Sequence, residues 1–102
     1  MSDILKIAVV GAGGKMGMRV SRNLAKTDND VRYVENSEAG QARVLEEGRS
    51  LTDLDTAIRG VDVVVLAVPD IVLDKVTQQV VPQLESGTVV LTLDPAAAYA
   101  NL

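Results

Sequence analysis

Four glycines lie within seven residues near the start of the chain, at Gly11, Gly13, Gly14 and Gly17. The apolar run before them, ILKIAVV, is typical of a buried strand, and the residues after them have the apolar spacing of a helix. A glycine turn between a strand and a helix leaves backbone N–H groups free at the helix start, where the helix dipole adds partial positive charge. This chemistry suits an anion, above all a phosphate.

The glycine spacing leaves open which residue faces a phosphate. From Gly11 the pattern reads G-x-x-G-x-x-G, one residue longer in its first gap than G-x-G-x-x-G. Gly11 permits a tight turn at the strand end, Gly17 lets the helix pack close to the strand, and either Gly13 or Gly14 lets the backbone approach a pyrophosphate. The candidate phosphate-binding residues are Gly11, Ala12, Gly13, Gly14, Lys15, Met16 and Gly17. Lys15 either contacts the phosphate or is a solvated surface side chain, and the second reading is favoured because surface lysines are common.

An acidic residue lies where a dinucleotide site needs one. Glu35 ends the second predicted strand, VRYVE, 18 residues after Gly17, close to the spacing of about 20 found in dinucleotide-binding folds. A carboxylate there accepts hydrogen bonds from the adenosine ribose and repels a 2′-phosphate. The next residues, Asn36 and Ser37, offer no cation for that phosphate. We therefore predict NAD as the cofactor in preference to NADP.

Composition narrows the class of protein. The chain has 102 residues, no cysteine, no histidine and a formal net charge of −4. It therefore has no disulfide or thiolate metal site, and it lacks the commonest general base. The negative charge argues against nucleic-acid binding. We also expect no membrane segment, because no apolar run approaches the ~20 residues that a span requires, and no signal peptide, which favours a cytoplasmic location.

Strands and helices alternate along the chain. The predicted strands are Ile4–Val10, Val31–Glu35, a very short segment near Ser50 and Leu51, VDVVVLAVP from Val61, and GTVVLTLD from Gly87. The predicted helices are Lys15–Lys26, a segment from Ser37 to Gly48, a helical turn ending at Gly60, and a segment from Asp70 to Pro82. Such alternation implies right-handed crossovers and a parallel sheet. We predict an α/β fold over residues 1–102: a Rossmann-type, doubly wound sheet of about five strands in the order 3-2-1-4-5, between two helix layers.

A second group of candidates follows the central strand. The turn AVPD lies at its carboxyl end, beside the point where the strand order reverses, and ligands bind there in open α/β sheets. Val68 and Pro69 are predicted to line the ribose on the nicotinamide side. Asp70 either contacts the cofactor or caps the following helix. Asp94, at the end of the last strand, would face the same crevice.

Together these motifs resemble a known family. VVGAGGKMG, the acid after the second strand, DVVVLAVP and GTVVLTLDPAAA are similar to the N-terminal cofactor domain of phosphogluconate dehydrogenase-like and 3-hydroxyacid dehydrogenase-like oxidoreductases, over nearly the whole chain. Within that group, GAGGKMG and LDPAAAYA look most like an NAD-dependent enzyme of branched sugar-acid breakdown. The glycine turn also resembles that of dihydrodipicolinate reductase, but LAVPD departs from the acid and phenylalanine of that family.

The resemblance implies an oxidoreductase that transfers a hydride from a CH–OH carbon of a hydroxyacid or sugar acid onto NAD, as a homodimer. It also implies that Gly11–Gly17, Glu35 and the Val68–Pro69 turn bind the cofactor. In such enzymes the general base and the substrate-binding residues lie in a helical C-terminal domain, which we expect to lie outside this chain. We therefore name no catalytic residue, and we expect no metal site here and no turnover by the chain alone. Two alternatives stay open: a regulatory NAD-sensing domain, and an interaction domain that binds no nucleotide.

Overall fold

The computed structural model describes residues 4–68, 70–84 and 87–92, with the backbone alone at 70–74. The strands are β1 (Lys6–Val10), β2 (Asp30–Val34), β3 (Val63–Leu66) and β4 (Val89–Thr92). The helices are α1 (Lys15–Leu24), α2 (Glu38–Glu46), α3 (Leu54–Ala57) and α4 (Asp70–Val80), and a 3-10 turn follows at Val81–Gln83. Within the described residues, the strands form one parallel sheet in the order β2-β1-β3-β4.

The predicted third strand is reduced to a single bridge. Leu51 pairs in parallel with Tyr33 of β2, and the Thr52 N–H donates a hydrogen bond to the Tyr33 carbonyl at 2.8 Å. Leu51 is the single apolar residue between Gly48 and Asp53, so this segment has no run of side chains to bury against the sheet. If the Leu51 bridge is counted as the predicted third strand, it lies beside β2, and the strand order across the sheet is the predicted 3-2-1-4-5. The predicted doubly wound α/β class is confirmed.

Alternation along β1 divides the core into two layers. Ile7 and Val9 point to the face that α1 and α2 cover, where they pack with Val44 of α2. Ala8 and Val10 point to the opposite face and join the cluster formed with α3 and α4. This period of two is what a strand buried on both faces requires. Because these strands are parallel, the carboxyl ends of β1, β2 and β3 meet at one edge between the helix layers.

The helix boundaries follow local hydrogen bonding. α1 ends at Leu24, two residues before the predicted end, because the Thr27 hydroxyl donates to the Leu24 carbonyl at 2.6 Å. α2 begins after Ser37, whose side chain accepts a hydrogen bond from the Gly40 N–H at 3.0 Å. This cap fixes the start of α2, and it does so two residues after Glu35, which is a candidate site residue.

Two further properties concern the described part of the chain. None of its helices is both long enough and apolar enough to cross a membrane. Its acidic side chains nowhere gather in a group of three or more that could hold a metal ion.

Candidate cofactor site

A cleft of about 360 Å³ opens at the carboxyl edge of the sheet. The glycine turn after β1 contributes Gly11 and Gly14, and the end of β2 contributes Glu35 with the two residues that follow it. Val68 lines the cleft from the turn after β3. This edge is where open α/β sheets bind their ligands, because the first helices on the two faces of the sheet diverge there.

The glycine turn is held firmly against the end of β2. The N–H groups of Gly11 and Ala12 both donate to the Val34 carbonyl, at 2.8 and 3.0 Å, and the Gly14 N–H donates to the Gly11 carbonyl at 3.1 Å. Gly11 has a φ of 84°, in the region that favours glycine. The amides of this turn are therefore used within the protein and are not free for a ligand.

The free amides lie one step further, at the start of α1. Gly14 is the N-cap residue and supplies no capping side chain, and the first backbone bond of the helix runs from the Met18 N–H to the Gly14 carbonyl at 2.8 Å. Within the described residues, the N–H groups of Lys15, Met16 and Gly17 therefore have no acceptor. An anion such as a pyrophosphate would satisfy these donors and meet the positive end of the helix dipole.

Each glycine meets different surroundings. A Cβ at Gly17 would run into the Gly11 carbonyl oxygen, so Gly17 allows α1 to approach β1. A Cβ at Gly13 would run into the Gly40 carbonyl oxygen, so Gly13 serves the packing of α2. A Cβ at Gly14 would lie 3.4 Å from the Gly11 carbonyl oxygen, and Gly14 lines the cleft. Of the two residues left open by the sequence, Gly14 is therefore the one that faces the cleft.

Glu35 lies beside this turn and is tightly held. Its Oε1 accepts a hydrogen bond from the Gly13 N–H at 2.9 Å, and its Oε2 accepts from the Ser37 N–H at 3.0 Å and the Ser37 hydroxyl at 3.1 Å. Each carboxylate oxygen can accept more than one hydrogen bond. Acceptor capacity therefore remains for a ribose hydroxyl, and the carboxylate is already oriented before a ligand arrives.

Not every predicted residue reaches the cleft. Ala12 is fully buried in the core beneath α1 and α2, and the Lys15 side chain is exposed on α1. Neither they nor Met16 line the cleft, so any contact from these positions would come from the backbone. Pro69 and Asp94 lie outside the described residues, and the side chain of Asp70 does too.

The cleft also has an apolar wall that was not predicted from the sequence. Leu54 of α3 and Val76 of α4 line it together with Gln79. Val76 packs against the core cluster of α3 and α4 and also borders the cleft. No local signal marks Leu54. An apolar wall next to a carboxylate suits a ligand with a flat aromatic ring attached to a sugar.

Among the described residues that line the cleft, Glu35 is the single ionisable side chain. Its oxygens accept three hydrogen bonds from the protein, which fix the orientation of the carboxylate in the cleft. The cleft therefore has the groups to bind and orient a dinucleotide. The residues fit NAD: free amides for the pyrophosphate, a carboxylate for the ribose, and an apolar wall for the adenine.

Comparison with known proteins also points to an NAD-binding domain. Residues 6–98 match the family described as the NAD binding domain of 6-phosphogluconate dehydrogenase. D-apionate oxidoisomerase from Pectobacterium atrosepticum is 54% identical over 101 residues, 99% of this chain. D-apionate oxidoisomerase from Cupriavidus necator is 50% identical over 97 residues, 94% of this chain. The chain spans 35% of the length of each of these relatives.

A solved structure agrees in fold. A semialdehyde dehydrogenase NAD-binding protein from Cupriavidus necator, in complex with calcium and NAD, superposes with a TM-score of 0.86. It is 48% identical, and the match covers 99% of this chain and 36% of the other. The predicted resemblance and the predicted cofactor are both confirmed. The chain belongs to the family of NAD-binding domains of 6-phosphogluconate dehydrogenase, and its cofactor is NAD.

Proposed function

We propose that this chain is the coenzyme-binding part of an NAD-dependent oxidoreductase that acts on a CH–OH group of a sugar acid, with D-apionate oxidoisomerase as the activity. The observation that carries the proposal is the 54% identity to a D-apionate oxidoisomerase over 99% of this chain. The relatives give no support to a purely regulatory sensor. Because this chain spans 35% of their length, we assign the substrate-binding groups, the general base and a homodimer contact to the longer protein. The lack of cysteine fits a reducing, cytoplasmic compartment.

In this proposal each described group has a separate role in binding. The free amides of Lys15, Met16 and Gly17 hold the pyrophosphate, and the bare Cα of Gly14 allows its close approach. Glu35 accepts hydrogen bonds from the adenosine ribose. Val68, with its neighbour Pro69, borders the ribose on the nicotinamide side. When bound, NAD supplies the hydride acceptor. This chain fixes the position of its ring.

Titration calorimetry of the chain tests the binding role. We expect Glu35→Gln to weaken NAD binding by tenfold or more, which is about 1.4 kcal/mol, because a charge-assisted hydrogen bond to the ribose is lost. The same substitution removes the charge that repels a 2′-phosphate, so the preference for NAD over NADP should narrow. Glu46→Gln is the matched control, since Glu46 is an exposed acid at the far end of α2. An unchanged NAD affinity in Glu35→Gln would remove Glu35 from the site.

An activity assay tests the proposed substrate. The longer protein that carries this domain should reduce NAD when D-apionate is added, measured as NADH absorbance, and the 102-residue chain alone should not. D-gluconate serves as a comparison acid that lacks the branched carbon. Reduction with D-gluconate but not with D-apionate would contradict the assignment of substrate and leave the assignment of NAD intact.

A further inference from the structure

The first turn of α2 packs directly against the glycine turn. Gly40 is buried, and its carbonyl oxygen occupies the space that a side chain on Gly13 would need. A side chain on Gly40 would in turn meet Glu35, whose carboxyl carbon lies 2.5 Å from the position of a Cβ. α2 therefore contacts the glycine turn and the carboxylate at the same point, and two glycines make that contact possible.

Arg43 adds a polar link one helical turn further along α2. Its Nε–H donates a hydrogen bond of 2.7 Å to the Gly13 carbonyl, across 30 residues of sequence. The Gly13 N–H donates to Glu35 Oε1 at 2.9 Å. Both backbone polar groups of Gly13 are therefore fixed by side chains, the carbonyl by a cation and the N–H by an anion. Hydrogen bonds with one charged partner are stronger than neutral ones.

The bond from Arg43 acts on the peptide group between Gly13 and Gly14. The Gly13 carbonyl belongs to the peptide group that leads into Gly14, the residue that faces the cleft. The other end of that peptide group, the Gly14 N–H, is bonded to the Gly11 carbonyl at 3.1 Å. Hydrogen bonds at both ends therefore oppose rotation of the peptide before Gly14, at the point where α1 begins.

From this geometry we infer that Arg43 is a positioning residue for the cofactor, an inference that rests on the proposed function. Arg43 does not line the cleft. It holds the Gly13–Gly14 peptide so that the α1 amides point to the pyrophosphate, and through Gly13 it couples those amides to the Glu35 carboxylate on the ribose side. Preorganised donors bind an anion more strongly because binding does not have to order them.

The test is a double-mutant cycle on the chain, with NAD affinity measured by calorimetry. We expect Arg43→Gln to weaken NAD binding about tenfold and Arg43→Lys to lose less, because an ammonium group can still donate to the Gly13 carbonyl. In the double variant Arg43→Gln with Glu35→Gln, the loss should be smaller than the product of the two single losses, because both residues act through Gly13.

Arg22→Gln provides the matched control. Arg22 also bonds to an acceptor far along the chain, the Glu47 carboxylate, but at the other end of α2. It should lower the stability of the fold and leave NAD affinity within about twofold. An equal loss of affinity in Arg22→Gln and Arg43→Gln would make Arg43 merely structural and overturn the inference. Unchanged binding in Arg43→Gln, or losses that multiply in the double variant, would overturn it too. Wild-type protein that binds no NAD would instead contradict the proposed function itself.

Discussion

Gly14 and Gly17 stand three residues apart in one turn, yet a methyl group added to each would meet different surroundings. At Gly17 it would collide with the Gly11 carbonyl oxygen, which is part of the rigid turn. At Gly14 it would lie in ordinary contact, 3.4 Å from the same oxygen, and the backbone there has a φ of −76° that alanine adopts readily. Gly17 therefore serves the packing of the fold, whereas Gly14 lines the cleft and, in the proposed function, serves the ligand.

We expect Gly17→Ala to lower the free energy of unfolding by about 2 kcal/mol or more, because backbone atoms must shift to admit the methyl group. Gly14→Ala should cost less than about 1 kcal/mol and should weaken NAD binding at least tenfold, because its methyl group projects toward the pyrophosphate. Urea unfolding and calorimetry measure the two effects. The assignment fails if Gly14→Ala binds NAD like the wild type.

Single residues could be predicted from the sequence where their role is local. The glycine turn and Glu35 are recognisable because the spacing from strand to helix to strand is fixed by the fold. Leu54 and Gln79 could not be predicted, because only the packing of α3 and α4 brings them to the same cleft. Arg43 was missed for the same reason, since its partner Gly13 is 30 residues away.

At the scale of elements, the C-terminal ends of α1 and α2 are joined by one ion pair. The Arg22 guanidinium donates to both oxygens of Glu47, at 3.0 Å from Nε to Oε1 and 2.9 Å from Nη2 to Oε2. Arg49 also contacts this carboxylate, with its Nη1 3.1 Å from Oε1 of Glu47. The hydrogen bond from Arg22 is the main reason that the pKa of Glu47 lies below its usual value of 4.5, and Arg49 adds to the shift.

This pair gives the fold a pH dependence with a definite sign. A carboxylate whose pKa is lowered by folding stabilises the protein above its unfolded pKa, and that contribution is lost as pH falls through the folded pKa. We therefore expect Glu47→Gln to be less stable than the wild type at neutral pH. The difference should close below pH 4.5, the usual value, as Glu47 becomes protonated. Urea unfolding across that range measures the effect, with Glu46→Gln as the control. A stability gap that persists in acid would show that packing, rather than charge, makes the link.

Element order could be predicted from apolar patterning, but element length could not. The run VDVVVLAVP predicted a central strand, and β3 lies there between β1 and β4. The segment around Leu51 has a single apolar residue to place on the sheet, so a bridge forms instead of a strand. The Thr27 hydroxyl bonds to the last residue of α1 and the Ser37 hydroxyl caps the start of α2, and apolar spacing does not report such side-chain contacts.

Across the protein, the doubly wound sheet has a helix layer on each face, so that the residues lining the cleft meet at its carboxyl edge. Among the described residues, β4 has a neighbouring strand on one side only. Its side chains alternate: Val90 packs against the core cluster of α3 and α4, whereas Val89 and Leu91 are 51% and 49% exposed. An edge strand with exposed apolar side chains is a surface that promotes association between chains.

We therefore expect Leu91→Lys to reduce self-association of the chain, because a charge on an edge strand disfavours pairing with a second copy. Its free energy of unfolding should stay within about 0.5 kcal/mol of the wild type. Val90→Lys, one position away on the same strand, is the contrast: it places a cation against the core and should cost roughly 1–3 kcal/mol. Light scattering measures association, and urea unfolding measures stability. If Leu91→Lys costs as much stability as Val90→Lys, then Leu91 is covered in the folded protein, and the outer face of β4 belongs to the core rather than to the surface.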